Sequence, residues 1–71
     1  MPLTIVQSGK RVYVVGMTGG GGLRGRLAAM GLVPGTQIEV IRNLSPGPVI
    51  INVRGSRIML GHGMAQKIMV A

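Results

Sequence analysis

The chain is predicted to be mainly β, a small barrel of about five strands with one short helix between the first two, and three features carry that prediction. Short runs rich in valine and isoleucine dominate the sequence. Turn signals built on glycine and proline recur every eight to twelve residues or so, the spacing of a small sandwich or barrel. One stretch alone, Leu23 to Met30, repeats its apolar residues at helical intervals.

Seventy-one residues make one domain, 1–71, and at that size folding buries only about 60% of the unfolded surface. The core must be Val, Ile, Leu and Met, because Phe and Trp are absent and Tyr13 is the only aromatic. With no cysteine, neither a disulfide nor a thiolate metal site can brace it. Closing the sheet into a barrel, which removes exposed edges, is the expected remedy.

The first strand is expected over Lys10 to Met17, which is β-branched and ends near Gly16. Gly19 to Gly22 reads as a flexible connector, and the helix follows over about two turns from Leu23 to Met30. Gly31 lies just past the last periodic residue, where a helix needs a left-handed residue to stop, and glycine takes that conformation without a Cβ clash. Val33-Pro34-Gly35-Thr36 then fits a type II turn, proline fixing φ at the second position and glycine supplying positive φ at the third.

The second strand, Thr36 to Asn43, alternates Ile38 and Val40 with Gln37 and Glu39. Ser45-Pro46-Gly47-Pro48 is expected to reverse the chain by the same proline-glycine mechanism. In the third strand, Val49 to Arg54, Val49, Ile51 and Val53 should face inward and Asn52 and Arg54 outward, with Ile50 an apolar exception on the outer side. Gly55-Ser56 suits a two-residue type II′ hairpin into Arg57-Ile58-Met59-Leu60, with Ile58 and Leu60 inside. A loop over Gly61 to Ala65 and a last strand from Gln66 to Val70 complete an SH3-like barrel.

Eight Lys or Arg residues against the single acid Glu39 give a formal charge of +7. Such a balance favours anionic partners, whether nucleic acid, a lipid surface or an acidic protein face. The chemistry of catalysis is poorly supplied, since one Glu, one His, no Asp and no Cys furnish neither an acid–base pair nor an activated nucleophile. Gly20-Gly21-Gly22-Leu23-Arg24-Gly25 matches a dinucleotide fingerprint in form only, because a chain this short has no room for the parallel βαβ unit that motif needs.

Arg24 and Arg26, placed in the first turn of the expected helix, would oppose its dipole by roughly 0.3–1 kcal/mol each. They are therefore candidates to meet an anion or an acidic partner, the alternative being that both extend into solvent. Met59 and Met69 alternate away from the inward residues, and together they would form an adaptable docking patch. His62 and Met64 sit in the last loop and join Arg24, Arg26, Met59 and Met69 as candidate partner-binding residues, the alternative being that His62 is a solvated loop residue and Met64 core filler. His62 and Glu39 are the only hard metal donors and fall on different elements, so no metal site is assigned. Basic barrels can bind nucleic acid, and Arg42, Arg54, Arg57 and Lys67 would supply charge, but base stacking would rest on Tyr13 alone.

Leu3 with Gly9, the glycines 19–22, Arg26-Leu27 with Met30-Gly31-Leu32 and Pro34-Gly35, Val53 with Gly55, Ile58 with Leu60, and Ala65 with Ile68 and Val70 together resemble the ferrous iron transport protein A (FeoA) family. The match runs over almost the whole chain. It implies an SH3-like fold and a cytoplasmic, non-catalytic role beside the membrane Fe(II) transporter, docking on its GTP-binding region. It also implies association with Fe(II) or another transition metal, with no tightly bound cofactor. Family members often carry acids in the loop matching Gly61 to Gln66, where this chain has glycine, histidine and methionine. A similar domain ends the iron-dependent repressors, so a regulatory role is the alternative. Proline-rich peptide binding is not expected, because that groove is built from aromatics. The N-terminus lacks the basic start and apolar run of a signal peptide, and no segment nears the roughly 20 apolar residues of a membrane span.

Overall fold

Alternation of apolar residues at a period of two sends every second side chain of each strand to one face, and that face becomes the core. In the computed structural model, which describes residues 1–71, the strands are β1 (Arg11–Met17), β2 (Gln37–Asn43), β3 (Val49–Val53), β4 (Ser56–Leu60) and β5 (Ile68–Val70). A 3-10 turn at Leu3–Ile5 precedes them, α1 (Gly21–Ala29) joins β1 to β2, and α2 (His62–Gln66) joins β4 to β5. The strands form one antiparallel sheet in the order β4-β3-β2-β1-β5. Fifteen aliphatic residues make a single buried cluster, to which every strand contributes, joined by Leu3, Val6, Leu27, Leu32 and Ala65.

The sheet is SH3-like, but the expected closure into a barrel is not made. β1 divides its pairing, its first half with β2 from Arg11↔Glu39 to Tyr13↔Gln37 and its second half with β5 from Val14↔Val70 to Met17↔Ile68. Bulges between Val14 and Gly16 and between Val40 and Arg42 bend the sheet over its core. β4 and β5 nevertheless remain the two ends of the order, because α2 rather than a hairpin connects them. The free side of β5 is covered by the start of the chain: Pro2 bridges to Met69, and the Val70 N–H donates to the Met1 carbonyl at 2.7 Å. β4 has no strand beyond it, which is why Ile58, expected inside, is only half-buried.

Gly31, at φ +86°, ends α1 as expected. Leu32 N–H donates to the Leu27 carbonyl and Gly31 N–H to that of Ala28, each at 2.9 Å, and the side chains of Leu27 and Leu32 are both fully buried. This is the paired bond and apolar clasp of a Schellman stop. The Pro34-Gly35 turn is also as expected, with Gly35 at φ +92° and Thr36 N–H donating to Val33 at 3.1 Å.

Four local expectations are corrected. α1 begins at Gly21, so Gly21 and Gly22 are helical and only Gly19 and Gly20 remain as connector. The Pro46-Gly47 reversal is centred one residue earlier: Gly47 N–H donates to the Leu44 carbonyl at 2.6 Å, and the Ser45–Pro46 peptide is cis. Gly47 is needed there for close approach rather than for positive φ, since a Cβ would lie 2.9 Å from the Leu44 oxygen. The β3–β4 hairpin pairs Val53 with Ser56, leaving Arg54 and Gly55 as its two central residues at φ 51° and 83°, a type I′ turn in place of type II′. The loop over Gly61 to Ala65 is largely helix α2, pinned by the fully buried Ala65.

Asn43, at the end of β2, was not singled out by the sequence. Its Nδ2 donates to the carbonyls of Thr4 at 2.8 Å and Val6 at 2.7 Å, its Oδ1 accepts from Ser45 N–H at 2.9 Å, and its backbone N–H donates to Ser8 Oγ at 3.0 Å. One amide thus straps the N-terminal segment across the sheet.

Asn43→Ala is expected to lower unfolding free energy by about 1–3 kcal/mol in a urea titration, because two half-buried carbonyls lose their donor; a change under a few tenths would show the strap to be idle. Two glycine substitutions should act in opposite directions by the same assay. Gly25→Ala, in open space inside α1, should stabilise by about 0.5–1 kcal/mol, whereas Gly31→Ala, at positive φ, should destabilise by about 1 kcal/mol or more. Equal signs would contradict the assigned backbone conformations.

Candidate functional site

Two surfaces concentrate the cations, and the elements decide which residues share them. On α1 only Leu27 is buried, with Leu23 and Met30 half-buried; Gly21, Gly22, Arg24, Gly25, Arg26, Ala28 and Ala29 face solvent. Starting the helix at Gly21 makes Arg24 its fourth residue, at the end of the first turn, and places Arg26 in the last, where a cation is favoured by the dipole. The expected dipole conflict is therefore lifted for Arg26 and weakened for Arg24. Residues two apart point about 200° apart around a helix, so the two guanidinium groups do not converge. Arg24 instead lines a depression of about 260 Å³ with Gly16, Met17 and Pro34.

The outer face of the sheet is the second surface. Strand register builds a row Arg11–Glu39–Asn52–Arg57 across β1 to β4 and a second row Arg42–Ile50–Met59 across β2 to β4. Tyr13 stands opposite Gln37 beside them and is 53% exposed. Arg54, at the hairpin tip, joins Arg11, Gln37, Glu39 and Asn52 around a depression of about 200 Å³. Of the four basic residues scattered along the later strands in sequence, pairing and the hairpin bring Arg42, Arg54 and Arg57 to this face and add Arg11. Lys67 is elsewhere, its Cδ 3.6 Å from where a Cβ on Gly19 would lie. Arg11 and Asn52 were missed by the sequence reading because only the register reveals them.

The remaining predicted residues separate. Met59 is 66% exposed, but Met69 is half-buried on β5, and their strands end the sheet order on opposite sides, so no strand pairing joins them into a patch. Met64 packs against the core. His62 is the first residue of α2, not a solvated loop residue; it is half-buried, with Nδ1 3.2 Å from Ser45 Oγ, which ties α2 to the β2–β3 turn. No group of three or more His, Cys, Asp or Glu converges anywhere, and Glu39 and His62 belong to different elements. No helix is long and apolar enough to cross a membrane.

Comparison with known proteins fits this geometry. A family model described as the FeoA domain matches residues 1–71. A protein of Methanocaldococcus jannaschii described as putative Fe(2+) transport protein A is 45% identical over 69 residues, 97% of this chain and 83% of that one. A crystal structure of an iron uptake regulatory protein (FeoA) superposes with a TM-score of 0.87 at 41% identity, covering 99% of this chain and 92% of its own. A manganese-dependent transcriptional repressor in complex with manganese superposes at 0.89 with 19% identity, over 35% of its length, a likeness of fold alone.

Because Leu27 is the one fully buried residue of α1, with Leu23 and Met30 only partly buried against the core, amides in its first two turns are expected to exchange with deuterium at least tenfold faster than those of the β2–β3 pair. Equal protection by NMR would show α1 to be as firmly held as the sheet.

Proposed function

The chain belongs to the FeoA domain family, and on that footing we propose that it is a non-catalytic cytoplasmic accessory of ferrous iron uptake, docking on the GTP-binding region of the iron transporter and modulating it. The match over residues 1–71 carries the reading, together with the relative described as Fe(2+) transport protein A. The titratable groups support a binding role, since one Glu and one His, with no Asp or Cys, leave few candidates for general acid–base or nucleophilic work. Iron is then the cargo of the transporter, and no tightly bound cofactor is assigned to this chain.

The docking surface proposed is α1 with the depression beside it. Its exposed side chains are glycine, alanine and two arginines with no acid in the helix, which lets a partner approach closely and offers charge to an acidic face. Met17 and Pro34 give the depression apolar wall for one partner side chain. His62 and Met64, by contrast, are proposed to serve α2 and its packing rather than the partner.

Titration of the protein against the transporter's soluble GTP-binding portion should show saturable binding that Arg24→Glu with Arg26→Glu weakens about tenfold or more. Unchanged affinity for that double variant would exclude α1 as the contact, and no binding at all would exclude the docking role.

A further inference from the structure

We infer that the outer face of the sheet is a docking surface for an anionic phospholipid bilayer. This face carries Arg11, Arg42, Arg54 and Arg57 against the single acid of the whole chain, Glu39. Such an imbalance is not needed to hold the fold. All the buried residues are apolar, and none of these arginines is among them. Four like charges on one small surface repel one another, so the arrangement is complemented only by an anionic partner.

The pattern of that charge selects a bilayer over a nucleic-acid strand. Arg11 and Arg57 stand at the two ends of their row, three strand spacings or about 14 Å apart, with Glu39 and Asn52 between them. A phosphodiester backbone needs a continuous cationic track, and Glu39 interrupts it. A plane of headgroups needs no register, and separated cations engage it independently, each long stem lying along the surface while its guanidinium reaches a phosphate. The second row adds the other component of interfacial binding: Met59, 66% exposed and flexible, beside the half-buried Ile50 and flanked by Arg42 and Arg57. Tyr13, half exposed at the opposite side of the face, places an amphipathic ring at headgroup depth. Stacking of successive bases would need more than that one ring.

The surface differs from the α1 site, so the two readings fail separately. The intact protein is mixed with vesicles of pure phosphatidylcholine and with vesicles carrying 30% phosphatidylglycerol by mole, sedimented, and assayed from 50 to 300 mM NaCl. Binding to the anionic vesicles alone, falling steeply with salt, is the expected result. Arg42→Gln with Arg57→Gln should weaken it at least tenfold, since each cation near such a surface is worth about fivefold. Arg26→Gln with Lys67→Gln removes the same charge away from the face and should change binding less than threefold, and Met59→Ser should weaken it with no change in net charge. Circular dichroism and urea titration of each variant separate lost binding from lost folding, and the wild-type result stands without any variant. The inference is overturned if the wild type ignores phosphatidylglycerol, if both charge pairs weaken binding equally, or if a 20-nucleotide polyuridine binds more tightly than the vesicles at the same salt.

Discussion

Fifteen aliphatic side chains closing over one another on the inner face of a bent sheet are what the rest of this molecule depends on. With no Phe or Trp, no disulfide and no buried polar group, nothing else supplies comparable stabilisation. Two bulges and the split pairing of β1 curl five short strands until Leu3, Leu27, Leu32 and Ala65 can cover what the sheet leaves open. The polar network of Asn43 then serves that packing, holding the segment that carries Leu3 and Val6 over the core.

How much of this was legible depended on whether a residue's meaning is local. Gly31, Pro34 and Gly35 are read correctly because the backbone angles they supply are properties of those residues themselves. Alternation likewise places Ile38, Val40, Val49, Ile51 and Val53 in the core. The misses are tertiary overrides. Gly21 and Gly22 are poor helix formers, yet the helix that seats Leu27 extends back through them. Gly61 and Gly63 hide α2, a five-residue helix that exists because Ala65 is buried. Arg54 occupies a left-handed position that its own preference disfavours, because the Val53↔Ser56 register requires a two-residue turn there.

The candidate sites were less legible, and for a physical reason. Positions relative to a helix start, or across a sheet, depend on boundaries and register that composition does not contain. A shift of two residues in the start of α1 carries Arg26 from an opposed to a favoured electrostatic position and Arg24 to the end of the first turn. Arg11, Arg42 and Arg57, far apart in the chain, come onto one face only through pairing. The consequence is a division of labour: apolar burial holds the fold while the cations, largely uncompensated, remain available to anionic partners.

That division has a direct signature in the salt dependence of folding. If aliphatic burial holds the protein and its +7 charge works against the compact state, screening must relieve repulsion. Urea unfolding followed at NaCl concentrations from 20 to 500 mM should show the unfolding free energy rising with salt. A fall over the same range would mean that attractive ion pairs sustain the structure, and would contradict the account.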